Sequence, residues 1–170
     1  MVKRSLWVSH NPDKISVILA DDHAVVRAGI RQILEHGGDI QVVAEAENGH
    51  AAEALIQELK PDVAVLDIQM PKASGIEVTR WVRTHLSGVG VLILTAFDDD
   101  PYVVAALQAG ANGYMLKTAE PEDLIRAVRD VFAGNTDHGL ENSRLAGRGP
   151  LVAAAAGSTL ETRQVVCEQK

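Results

Sequence analysis

Residues 15–36 read ISVILADDHAVVRAGIRQILEH, and this stretch predicts the fold class of the chain. The first six residues are apolar apart from Ser16 and show no alternation, which is typical of a strand buried on both faces. Two aspartates and a histidine follow. Apolar residues then recur at helical spacing at Val26, Ile30 and Ile33. The stretch is therefore predicted to form a strand, a polar loop and a helix.

The same unit occurs five times along the chain. The predicted strands are residues 15–20, 40–46, 62–67, 91–95 and 113–116. The predicted helices are residues 23–36, 49–60, 75–86, 101–109 and 121–133. This alternation favours an α/β fold, in which helices cover both faces of a parallel sheet. For five strands we expect the flavodoxin-like, doubly wound order 2-1-3-4-5, with strands 1 and 3 adjacent at the topological switch point.

The composition narrows the class of protein. The chain has 170 residues, 46% of them hydrophobic, and a formal net charge of -7, which is typical of a soluble globular protein. Its apolar runs are too short to span a membrane, and its first residues lack the apolar core of a secretory signal. The single cysteine, Cys167, excludes a disulfide framework within the chain and favours a cytoplasmic location.

The negative charge is concentrated in the repeated units. Between residues 15 and 135, 18 acidic side chains outnumber 9 basic ones. This segment repels phosphate backbones, so we expect it to bind nucleic acid poorly by itself.

Polar residues follow the predicted strands at their carboxyl ends. Asp21 and Asp22 come after strand 1, Asp67 ends strand 3, Thr95 ends strand 4 and Lys117 follows strand 5. Each residue alone has an ordinary explanation as a turn former, a cap or a solvated lysine. Five such residues converging on one edge of a parallel sheet are better explained by a site. Clustered carboxylates need a cation, and their oxygens suit Mg²⁺, while an aspartate can act as a nucleophile toward phosphorus.

Four motifs carry a family resemblance: LADDH at 19–23, LDIQMPKASG at 66–75, ILTAFDD at 93–99 and GYMLK at 113–117. With them, the chain resembles the CheY-like receiver domain of bacterial two-component response regulators. ADDHAVVRAGI and GYMLKTAEPEDLIRAV are similar to the NarL/FixJ (LuxR-type) subfamily. The resemblance covers about 120 residues and implies phosphoryl transfer. A nucleotide- or flavin-binding module is a competing hypothesis, but no Gly-rich phosphate loop follows strand 1.

The resemblance implies a role for each matching residue of the phosphorylation and switch machinery. Asp67 matches the phosphoacceptor, and Lys117 matches the lysine that pairs with the phosphoryl group. Thr95 matches the switch hydroxyl, and Tyr114 matches the switch aromatic.

The resemblance also implies an Mg²⁺ site. Asp22 and Asp67 match direct ligands, Gln69 matches the position that offers its backbone carbonyl, and Asp21 matches a ligand that acts through water. His23 is interpreted as a polar residue that opens helix 1 rather than as a metal ligand.

The expected function is that of a response regulator receiver. A sensor histidine kinase transfers a phosphoryl group to Asp67, and the resulting switch controls transcription in the intact protein. The chain is then a phosphoacceptor that assists its own phosphorylation and dephosphorylation, not a turnover enzyme. One alternative is a stand-alone receiver that acts through protein contacts. A less favoured alternative is an aspartate-dependent phosphatase, which would need an acid at the position of Gln69.

The chain is predicted to divide into an N-terminal extension at 1–14, a receiver domain at 15–134, and a linker with a short tail at 135–170. NarL-like regulators carry a helix-turn-helix output domain, and the last segment is too short for a complete one. Contact with DNA is therefore expected only through an output domain that is missing or incomplete here. A homodimer is a further expectation, with the face of helix 4, strand 5 and helix 5 as one candidate surface.

Overall fold

Five parallel strands form the centre of the structure, a computed structural model that describes residues 11–96, 100–136 and 151–152. The strands are β1 (Ile15–Ala20), β2 (Ile40–Ala46), β3 (Val63–Asp67), β4 (Gly90–Thr95) and β5 (Gly113–Leu116). They pair in the order 2-1-3-4-5, so the predicted topology is confirmed. The predicted bounds differ from the observed ones by one residue at most.

Five helices connect these strands. They are α1 (Ala24–His36), α2 (Gly49–Leu59), α3 (Gly75–His85), α4 (Asp100–Gln108) and α5 (Pro121–Thr136). The apolar spacing located each helix, and the ends differ from prediction by three residues at most. The largest difference is at the end of α5, which continues past the predicted domain boundary at residue 134.

The sheet separates two hydrophobic clusters, because successive side chains of a strand point to opposite faces. Ile18 packs on one face with Ile56 of α2 and Val82 of α3. Leu19 packs on the other face with Leu34 of α1 and with residues of α5. Burial on both faces explains why the strands are nearly continuous apolar runs instead of alternating ones.

A sixth strand, β6 (Leu151–Val152), pairs antiparallel with β5. The segment was predicted only as part of the tail, because a two-residue strand has no periodicity that would reveal it. The physical reason for the pairing is that β5 is otherwise an edge strand with unpaired backbone groups. Residues 1–10, 97–99, 137–150 and 153–170 lie outside the described residues, so the extension and most of the linker and tail stay predictions.

The loop after β3 is held tightly against the strand that it leaves. Helix α3 begins with a capping box, in which Ser74 and Glu77 each bond the other's backbone N–H. The N–H of Gly75 donates to the carbonyl of Ile68. A β-carbon on Gly75 would lie 2.2 Å from the carbonyl oxygen of Asp67, so only glycine fits there.

Among the described residues, the longest helices fall short of the length and apolar character that a membrane span requires.

Substituting two glycines should have opposite effects on stability. Gly75→Ala should lower the free energy of unfolding by about 3 kcal/mol, because its β-carbon collides with the Asp67 backbone. Gly29→Ala should raise it by about 1 kcal/mol, because Gly29 lies within α1 with open space around it. Urea unfolding of both variants measures the difference. A Gly75→Ala protein as stable as the parent would contradict the proposed close approach.

Candidate functional site

The carboxyl ends of β1 and β3 bring two buried aspartates together. Asp67 is the last residue of β3, and Asp21 directly follows β1, its neighbour in the sheet. Both carboxylates are almost fully buried, with 5% exposure for Asp67 and 1% for Asp21. The strand order brings this pair together, because β1 and β3 are adjacent and their carboxyl ends lie at the same edge of the sheet. The connections that leave these strands diverge at the switch point, which leaves a crevice at that edge.

Lys117 bridges the two carboxylates from the other side of the site. Its Nζ lies 2.7 Å from Asp21 Oδ2 and 3.1 Å from Asp67 Oδ2. Its backbone N–H donates to the carbonyl of Thr95 at 2.7 Å, which anchors the residue after β5 to the end of β4. The backbone of Lys117 is therefore fixed, and its ammonium extends from there to the two carboxylates.

The electrostatics of the site oppose the ionised form of Asp67. Burial raises the pKa of the Asp67 carboxyl, and the nearby charge of Asp21 raises it further. Lys117 and a hydrogen bond from the backbone N–H of Gln69 act in the lowering direction, but the net pKa remains above its ordinary value. Asp67 thus carries a charge that its surroundings only partly compensate.

The residues present fit a divalent cation. Ligand atoms of Asp21, Asp22, His23 and Asp67 all lie within 4.8 Å of one another. Asp21 Oδ2 is buried, and its partner is the Lys117 ammonium, which it shares with Asp67. Three carboxylates face one ammonium, which leaves two negative charges for a cation of opposite charge to neutralise.

The structure places the predicted switch residues in β4 and β5, on the side of β3 away from β1. Thr95 ends β4 and is buried, one residue beyond the position paired with Asp67. Tyr114 lies in β5 with 4% exposure, packed in the hydrophobic cluster that contains Ile93. The roles assigned to them remain predictions, as do those of the metal ligands. For Gln69 the structure shows the donated N–H, while its predicted carbonyl role stays a prediction.

Two contributors to the site, Arg27 and His23, were not predicted from the sequence. Arg27 donates from Nη1 to the backbone carbonyl of Asp21 at 2.6 Å and from Nε to Glu45 at 2.9 Å, so it holds the segment after β1 in place. The imidazole of His23 approaches the carboxylates, with Nδ1 2.8 Å from Asp22 Oδ1. His23 does open α1 as its N-cap residue, as interpreted, but its side chain forms no capping hydrogen bond.

Replacing Asp67 by asparagine should stabilise the protein when no divalent cation is added. We expect a gain of about 1 kcal/mol at neutral pH, because the substitution removes a buried charge near Asp21. The pKa of Asp67 is higher in the folded chain than in the unfolded one. Between these two pKa values folding is coupled to the uptake of a proton, so the parent protein gains stability as the pH falls. The advantage of Asp67→Asn should therefore shrink at acidic pH, where the parent carboxyl is protonated.

Thermal unfolding with and without Mg²⁺ checks this expectation. Added Mg²⁺ should raise the Tm of the parent more than that of Asp67→Asn, which has one ligand fewer. Asp130→Asn, on α5 outside the site, is the matched control and should leave the Mg²⁺ response unchanged. Equal Mg²⁺ responses in the parent and Asp67→Asn would count against Asp67 as a ligand.

Curated relatives match the same part of the chain. An uncharacterised transcriptional regulatory protein of Bacillus subtilis, YxjL, is 44% identical over 124 residues, which are 73% of this chain and 57% of the relative. The transcriptional regulatory protein DegU of Brevibacillus brevis is 40% identical over 124 residues, or 73% of this chain and 52% of the relative. The chain thus spans little more than half the length of these relatives.

Solved structures and a family model agree with these matches. The signal receiver domain of a response regulator NarL from Mycobacterium tuberculosis superposes with a TM-score of 0.70 at 39% identity, over 72% of this chain and 99% of that one. The response regulator ChrA of a heme-sensing two-component system superposes with a TM-score of 0.62 at 46% identity, over 71% of this chain and 58% of that one. The family model described as the response regulator receiver domain matches residues 17–129. The chain therefore belongs to the response regulator receiver family, among relatives of the NarL and LuxR type.

Proposed function

We propose that Asp67 accepts a phosphoryl group from a sensor histidine kinase, and that Mg²⁺ is required. The observation that carries this proposal is the position of Lys117, whose ammonium lies within 3.1 Å of a buried carboxylate at the switch point. A lysine this close to Asp67 is placed to neutralise oxygens of a group that becomes attached there.

Each residue of the site has a part in the transfer. An oxygen of Asp67 attacks phosphorus while the bond from phosphorus to the donor's nitrogen breaks, and the donor leaves with the electron pair of that bond. Asp22, Asp67 and the Gln69 carbonyl would hold Mg²⁺, with Asp21 acting through water. When bound, the ion offsets the negative charge of the carboxylates and the phosphoryl oxygens. Lys117 orients and neutralises one of those oxygens.

Solvent and a phosphodonor have access to the site. An open cavity of about 560 Å³ is lined by Asp22, by Gln69 and other residues of the loop after β3, and by Tyr102 of α4. Asp22 is partly exposed at its rim, whereas Asp67 is covered.

The proposed output is a shift between two conformations. The Thr95 hydroxyl would follow the phosphoryl group, and Tyr114 would follow Thr95, which would alter the face formed by α4, β5 and α5. We propose that this face supports a homodimer. The two relatives described above are named as transcriptional regulators, which supports control of transcription by the intact protein. We place the reaction in the cytoplasm, where a lone cysteine stays reduced.

Incubation with acetyl phosphate and Mg²⁺, followed by intact mass measurement, tests the proposal. We expect one phosphoryl adduct per chain, absent from Asp67→Asn and present in Asp130→Asn. An unmodified parent protein, or an adduct that survives Asp67→Asn, would refute the assignment of Asp67. Continuous release of phosphate from a phosphate ester would instead support the phosphatase alternative and contradict the view that the chain is not a turnover enzyme.

Lys117→Gln should slow phosphorylation of Asp67 by about 100-fold, because a positioned cation at the phosphoryl oxygens is lost. The substitution should also raise the pKa of Asp67 further, since the neighbouring positive charge is removed. The rate of adduct formation at fixed acetyl phosphate measures the first effect. Lys72→Gln, in the exposed loop after β3, is the control and should react at the parental rate.

A further inference from the structure

The imidazole of His23 lies within the carboxylate cluster, and the proposed phosphoryl transfer assigns it no part. Its Nδ1 is 2.8 Å from Asp22 Oδ1 and 3.5 Å from Asp21 Oδ1. Two ligands that bind one ion at about 2.1 Å and at right angles are about 3 Å apart. The distances from Nδ1 to both carboxylates are therefore close to those between ligands that share an ion.

The backbone fixes this placement of His23. Its N–H donates to Asp21 Oδ1 at 2.8 Å, and its carbonyl accepts from the N–H of Arg27 at 2.9 Å in the first turn of α1. The ring is not used to cap the helix, and its side chain is 68% exposed. The backbone of His23 is therefore held beside the carboxylates, and its imidazole stays largely exposed to solvent.

Two further observations point to a cation at this position. Asp21 is 99% buried and directed into the cluster, and its Oδ2 has as partner the Lys117 ammonium, at 2.7 Å, which it shares with Asp67. The carboxylates exceed the single ammonium of Lys117 by two charges. A divalent ion would supply the positive charge that these buried carboxylates lack.

The mixed donor set decides which divalent ions suit the site. Mg²⁺ takes oxygen ligands and keeps its waters, so an imidazole adds little to its binding. Later divalent ions of the first transition row, such as Co²⁺, Ni²⁺ and Zn²⁺, accept imidazole nitrogen readily and bind mixed nitrogen and oxygen sites more tightly. A nitrogen donor beside three carboxylates therefore favours those ions.

We propose that His23 supplies a nitrogen ligand to the proposed metal site, so that the site binds a later first-row divalent ion more tightly than Mg²⁺. The inference deepens the proposed function, since it concerns the same site. It predicts that Co²⁺ coordinates His23 together with the carboxylates. It also predicts that removal of the imidazole weakens Co²⁺ binding selectively.

The probe is Co²⁺ alone, added to the full chain, with two readouts. In proton NMR, Co²⁺ should produce a strongly shifted, exchangeable imidazole N–H resonance in the parent. Calorimetric titration should show that His23→Ser weakens Co²⁺ binding by about 10-fold or more while Mg²⁺ binding changes little. Serine preserves a favourable N-cap for α1 and lacks the imidazole. His50→Ser, exposed on α2, is the matched control and should retain both the resonance and the affinity.

Three results would overturn the inference: a shifted resonance that persists in His23→Ser, equal weakening of Co²⁺ and Mg²⁺ in that variant, or parental Co²⁺ binding no tighter than Mg²⁺ binding. Circular dichroism confirms that the variants are folded before titration. Neither readout requires phosphorylation. If acetyl phosphate fails to modify parental Asp67, the proposed function fails while the metal inference is still decided by the titrations.

Discussion

The ion pairs of Lys117 with Asp21 and Asp67 are the interaction on which the site depends. Two buried carboxylates at the ends of adjacent strands repel each other, and the ammonium, at 2.7 and 3.1 Å from them, reduces that repulsion. The compensation is incomplete, since the pKa of Asp67 stays raised. A site with this excess of negative charge is suited to bind a cation. The cation could then neutralise part of the negative charge of a second bound group.

The surrounding backbone keeps these groups in place. Arg27 holds the carbonyl of Asp21, while Gly75 lets the loop after β3 lie directly against the backbone of Asp67. The backbone bond from Lys117 to Thr95 joins the ends of β4 and β5. The predicted switch residue Thr95 is thus connected through its backbone to the lysine that faces Asp67. This connection supports a role for β4 and β5 in transmitting a change at Asp67.

Much of the candidate site was predictable because it depends on strand ends. Once the strand order was inferred, Asp21, Asp67 and Lys117 had to converge on one edge, and the structure brings them within ion-pairing distance. Arg27 and His23 were not predicted as contributors, because their contacts depend on the angle at which α1 leaves β1. The short strand β6 was also unpredictable, since its pairing depends on the exposed edge of β5 and not on local pattern.

The sequence by itself determined the element order, the strand topology and the residues available for chemistry. Unbroken apolar strands and helical spacing are local properties, and their alternation favours a parallel sheet with helices on both faces. Only the tertiary structure decided the electrostatic state of the site. The burial of Asp67 and its contact with Lys117 depend on residues that are distant in sequence. The approach of His23 to Asp22 depends on the direction in which α1 begins. Distances and desolvation govern charge interactions, and neither can be read from the order of residues.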